Sequence, residues 1–131
     1  MTADNPFADA EIISIYTRQQ AIEDGMFVDV SEMAKEAGIK YPVAVTTNLY
    51  EKWIKPSKEA EELGQSVNGR LWDVLFIFRM MALKANGNFI KFVVAFNDGT
   101  KAEDVDIWAV CEAQSPTDPS PAINIMLPED Y

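Results

Sequence analysis

Between Arg70 and Ala85 the chain reads RLWDVLFIFRMMALKA, and no other stretch restricts the fold as strongly. Wound at about 100° per residue, it gathers Arg70, Asp73, Ile77 and Lys84 on one side and leaves almost all of the remaining circumference apolar. It is too long for an ordinary strand, and it falls short of the roughly 18 apolar residues that a membrane-spanning helix needs. The expectation is a buried central helix, ended by Asn86 and Gly87. A helix apolar on so many sides has to be covered by other elements of a folded domain.

After Gly87 the period changes. NFIKFVVAF and EDVDIWAVC flank NDGT, where Asp98-Gly99 is the pair favoured in a two-residue type I′ hairpin, because both central residues need positive φ. Such a turn sets Phe96 opposite Lys101, Val94 opposite Glu103, Phe92 opposite Val105 and Ile90 opposite Ile107. One face then carries Ile90, Phe92, Val94 and Phe96 with Val105, Ile107, Ala109 and Cys111. The other sets Phe89 against Trp108 and pairs Lys91 with Asp106 across the strands. Beyond a loop EAQSPTDPSP, AINIMLP alternates Ile123, Ile125 and Leu127 as a third strand. The fold class expected is α+β, an antiparallel sheet of at least three strands covered by the central helix and short N-terminal helices.

Those N-terminal helices come from two similarly punctuated stretches, YTRQQAIEDG and VDVSEMAKEAG. In the first, Glu11 to Tyr16 (EIISIY) reads as a strand, Thr17 and Gln20 form a capping box, and Gly25 stops the helix. The second repeats the plan with MFVDV as strand, Ser31 as cap and Gly38 as stop. Neither helix is long enough to stand alone in water, so both have to dock. Near Pro42 the backbone is expected to be extended, with Thr46 or Thr47 capping a helix through NLYEKWIK that Pro56 ends. EAEEL reads as one or two solvated helical turns. At 131 residues the chain is expected to form one domain, with residues 1–8 a disordered tail.

The formal net charge of −10 is unevenly spread: residues 67–100 carry Arg70, Arg79, Lys84 and Lys91 against Asp73 and Asp98, so the acid lies in the flanks. Such a chain is expected to be repelled by nucleic acid and anionic lipid, DNA mimicry being the weaker converse. The start MTADNPFADAE has no basic region followed by an apolar one, and a single cysteine forms no internal disulfide, so a cytoplasmic protein is expected. Histidine is absent, which removes Ser-His-Asp and Cys-His machinery and the usual zinc sets. GQSVNG lacks the lysine and spacing of a phosphate loop. Asp104 and Asp106 share a strand face but are expected to be solvated and ion-paired, and Cys111 to be a small core side chain. No catalytic residue, metal or cofactor is assigned, and the balance leans away from an enzyme.

Once caps and stops are assigned, Tyr16, Arg18 and Asp24 are the residues of YTRQQAIEDG without a folding duty. Arg70 and Asp73 join them as candidate interaction residues. Arg79 falls within the apolar arc of the long helix, between Trp72, Leu75, Phe76 and Leu83. A guanidinium stays protonated, so there it either reaches an edge or an internal partner, or lines a pocket that takes an anion.

YTRQQAIEDG, VDVSEMAKEAG, PVAVT, GRLWDVL, AVC and INIMLPEDY, in this order and spacing, resemble a family of small bacterial proteins of unknown function found on plasmids and other mobile elements. The resemblance spans nearly the whole chain and implies a context rather than a reaction. The leading expectation is an accessory or anti-defence protein that binds a host or plasmid-encoded protein without catalysis, in an oligomeric state left open. The alternative is a nucleotide-binding or ADP-ribosyl-transfer-like domain, because YTRQQAIEDGMF faintly resembles the openings of such folds, with Arg18 or Arg79 on phosphate and a carboxylate as acid or base.

Overall fold

The structure, a computed structural model, describes residues 17–99 and 101–131. Tyr16, the strand expected at residues 11–16 and the tail 1–8 lie outside the described residues. The first helix, α1 (Arg18–Glu23), begins as its letters dictate: Thr17 Oγ1 accepts from Gln20 N–H at 3.0 Å and Gln20 Oε1 accepts from Thr17 N–H at 2.8 Å. The next helix starts differently from the expected Ser31 cap. Val30 is the N-cap of α2 (Ser31–Glu36), and Asp29, at the end of β1 (Phe27–Asp29), accepts from both the amide and the hydroxyl of Ser31. The Ser31 hydroxyl oxygen in turn accepts from Val43 N–H at 3.0 Å, which ties α2 to β2 (Val43–Thr46). Thr46 is the cap of the following turn, α3 (Thr47–Leu49), which widens into a π-helical turn over Tyr50–Ile54. Ser57 caps the short α4 (Lys58–Glu62).

The long helix α5 spans Val67–Ala82. It starts three residues before Arg70 because Ser66 accepts from Gly69 N–H at 2.9 Å and fixes the first turn there. Leu71, Val74, Leu75 and Phe78 are buried against the sheet, with the Phe78 and Phe92 rings 6.1 Å apart. The expectation of a helix covered all round is corrected: one face is covered, and the opposite one lies in solvent.

The sheet has five strands among the described residues, in the order β1-β2-β5-β4-β3, with β3 at Phe89–Asn97, β4 at Ala102–Ser115 and β5 at Asp118–Met126. It is mixed, because β2 runs parallel to β5 while the other pairs are antiparallel. The expected loop after Cys111 is largely strand. β4 and β5 continue to a tight turn at Pro116–Thr117, with an irregularity between Ala113 and Ser115. Pro119 and Pro121 are tolerated because β2 pairs with β5 only from Ile123 onward, so these prolines adjoin no second ladder.

The β3–β4 register differs by two residues from the type I′ expectation. No described non-glycine residue has positive φ, so Asp98 does not adopt the first central conformation of that turn, and Gly99 alone sits at +105°. The loop is instead closed by Asp98 N–H on the Lys101 carbonyl at 3.1 Å, and the ladder ends at Asn97 opposite Ala102. Phe96 therefore faces Glu103, Val94 faces Val105, Phe92 faces Ile107 and Ile90 faces Ala109. A two-residue slip preserves the side-chain alternation, so the core face is the expected one. What changes is the cross-strand chemistry. Lys91 faces Trp108, its Nζ 4.7 Å from the ring centroid, and the expected Lys91–Asp106 ion pair is absent.

Candidate functional site

The outer face of α5 is the first unusual surface. Trp72, Phe76, Met80 and Leu83 recur at four-, four- and three-residue steps and form one stripe, exposed to 39, 45, 40 and 68 %. Asp73 and Lys84 border it on one side, and neither makes an ion pair among the described residues. Side chains of this size at these exposures leave on the order of 300–400 Å² of apolar surface in water, the range of a functional patch on a small protein.

Arg79 borders the stripe on the other side and folds back. Its Nε points to the Gly38 carbonyl at 3.4 Å, at the end of α2, where Gly38 has φ +89°. A Cβ at Gly38 would lie 2.9 Å from Arg79 Nε, so the glycine makes room for the guanidinium as well as turning the chain. Arg79 thus packs over a helix end, and it makes no ion pair among the described residues.

Arg70, expected on the polar side, is the arginine that the fold buries, at 5 % exposure. Its Nη1 donates to the Trp53 carbonyl at 2.7 Å, its Nη2 to the Asn97 carbonyl and its Nε to Gln65 Oε1 at 3.3 Å. The guanidinium also stands 5.4 Å from the Phe96 ring centroid. Burial pulls its pKa down and Asp98 pulls it up, and the group remains a cation at any physiological pH. Three elements, the π-helical turn, α5 and the end of β3, are joined through this one side chain.

The second unusual surface is on the sheet face turned away from α5. Ile123 and Ile125 point into the core, so Asn124 between them points to the other side, where α1 lies against β1 and β4. Arg18 Nε donates to Asn124 Oδ1 at 2.9 Å, and Asn124 Nδ2 donates to Glu112 Oε1 at 3.0 Å. Asn124 is 4 % exposed, and its amide orientation is the one that satisfies both neighbours. Arg18 Nη2 is shut off from solvent and meets no acceptor among the described residues. Burial lowers the Arg18 pKa, while the charge of Asp29 raises it. These groups line a cleft of about 800 Å³, with Ala21, Met26, Phe27, Ala113 and Pro116 as apolar wall. At its rim Asp130 accepts from Thr46 Oγ1 at 2.7 Å, Asn48 Nδ2 at 3.0 Å and Leu127 N–H at 3.1 Å, so donors surround its charge.

The candidate residues are therefore dispersed rather than gathered into one site. Arg18 enters the cleft, Asp24 is the exposed C-cap of α1, and Asp73 lies beside the apolar stripe. Arg70 is internal, Arg79 covers Gly38, and Tyr16 falls outside the described residues. Asn124 and Glu112 were missed. The signal was present in INIM, where one carboxamide interrupts an apolar strand. Among the described residues no group of three His, Cys, Asp or Glu is placed to hold a metal ion, and no helix is long and apolar enough to cross a membrane. A family model described as a family of unknown function, DUF6573, matches residues 3–131. No curated protein and no solved structure matches the chain.

Proposed function

The chain belongs to the family of unknown function DUF6573, and from that premise we propose that it is a non-enzymatic accessory protein of bacterial mobile elements, acting in the cytoplasm by binding a host or plasmid-encoded protein. An anti-defence role is the form such binding takes when the partner belongs to host immunity. The observation that carries the reading is the exposed Trp72–Phe76–Met80–Leu83 stripe on a helix whose opposite face already fills the core. Burying about 350 Å² of apolar surface is worth roughly 9 kcal/mol before the cost of association is subtracted, enough for a specific but modest contact. The net charge of −10 works against direct binding of nucleic acid.

The test compares the full chain with Phe76→Glu/Met80→Glu as baits in a lysate of cells carrying the element, after sedimentation velocity has measured self-association. Both side chains are substantially exposed, so the variant should keep the circular dichroism and melting midpoint of the parent. The parent should retain a stoichiometric partner that the variant loses. Equal recovery by both, or recovery by neither, refutes the reading.

A nucleotide-binding domain is the second reading, and Arg18 is the residue that favours it. Glu112 and Asp130 share the lining of its cleft, however, and that sign of charge disfavours a polyphosphate.

A further inference from the structure

The Arg18 cleft lies on the opposite side of the sheet from α5, so what it binds is independent of the interaction surface. A guanidinium offers five N–H donors. Asn124 engages Nε and Nη2 is shut off from solvent, so Nη1, which makes no hydrogen bond among the described residues, is the donor left for a ligand. Across the same carboxamide stands Glu112, which accepts from Asn124 through Oε1. Asn124 is suited to its place because it must accept on one side and donate on the other. An aspartate there would repel Glu112, and a leucine would release both neighbours.

The remaining charges nearby are occupied. Asp29 takes the amide and hydroxyl of Ser31, and Asp130 takes three donors at the rim. The cleft thus presents one cation and one carboxylate, linked through the Asn124 carboxamide, beside an apolar wall. A net anion is repelled by Glu112, and a net cation by Arg18. We propose that this cleft binds a free amino acid with an apolar side chain, its carboxylate on Arg18 Nη1, its ammonium on Glu112 and its side chain against Met26, Phe27 and Pro116.

The test is an NMR amide titration of the full chain with leucine and with phenylalanine, up to on the order of 10 mM. The comparison ligands are 4-methylpentanoate, which lacks the ammonium, isoamylamine, which lacks the carboxylate, inorganic phosphate, and a Leu-Leu dipeptide, which separates the two charges. Shifts should centre on Arg18, Glu112 and Asn124, with each single-charge analogue about 10- to 100-fold weaker than leucine. Arg18→Gln should weaken leucine binding by a similar factor, Arg18→Lys by less, and Glu112→Gln should remove the preference for leucine over 4-methylpentanoate. The melting midpoint of each variant establishes that it is folded, and Glu112→Gln, at an exposed position, serves if Arg18→Gln is not. No shift with either amino acid, binding of 4-methylpentanoate, phosphate or the dipeptide as tight as that of leucine, or leucine binding unchanged in folded Arg18→Gln and Glu112→Gln overturns the proposal.

Discussion

Replacing Arg70 by methionine tests whether one buried cation holds three elements together. The thioether chain fills much of the same space, so the change isolates the polar contacts from packing. It removes the donors to the Trp53 and Asn97 carbonyls and to Gln65. A hydrogen bond from a charged donor contributes about 1.5–3 kcal/mol net, and a buried carbonyl left without a partner costs about 1–3 kcal/mol. Opposing this, the guanidinium no longer has to be kept from water, and replacing buried charge by an apolar group of similar size sometimes stabilises. The two carbonyl bonds outweigh that relief because the carbonyls stay in place after the donor has gone. Arg70→Met should therefore lose about 2–4 kcal/mol, and Arg70→Ala more, through the added cavity. Against a total stability of about 5–15 kcal/mol that is a large fraction. Urea unfolding followed by tryptophan emission is a suitable assay, because Trp53 both stacks on Phe96 at 5.6 Å and supplies one of the carbonyls. With a slope of about 1–3 kcal/mol/M the midpoint should fall by about 1–2 M. The loss should be the same at pH 6 and pH 9, since arginine does not titrate there. Arg70→Met as stable as the parent would refute the argument.

Three further outcomes follow from the structure. A double-mutant cycle should find a coupling of about 0.5–1 kcal/mol between Lys91 and Trp108 and none between Lys91 and Asp106, the reverse of what a two-residue turn at Asp98-Gly99 demands. Lys52, with Asn48, holds the Glu129 carboxyl below its ordinary pKa. The resulting stability is present above the unfolded-state pKa and is lost as pH falls through the folded one, so Glu129→Gln should flatten the acid limb of a denaturation-against-pH series. Burial, and secondarily the charge of Glu112, raises the Cys111 thiol pKa. At pH 8 the thiol should react more slowly with a disulfide reagent than free cysteine does, and unfolding should abolish the difference.

The strand faces were legible because alternation is a local property. Phe92, Val94 and Phe96 face the core even though the turn expected to set their register did not form, since a slip of two leaves parity unchanged. The Thr17–Gln20 capping box was legible for the same reason: both of its bonds span three residues. The parallel β2–β5 pair was not, because it joins Ala44 to Asn124 across most of the chain and nothing local marks it. In the candidate sites, the letters supplied Arg18 but not its partner 106 residues away.

By itself the sequence determined the α+β class, the long helix, which residues of each C-terminal strand share a face, and the lack of histidine chemistry. These depend on period, caps and residue type, all of which are settled within a few positions. Only the tertiary structure decided which side of α5 is covered, that Arg70 rather than Arg79 is buried, and that Arg18, Asn124 and Glu112 meet. Burial depends on which distant elements dock on a surface. A helix apolar nearly all round carries no local mark of the face its partners will leave in water.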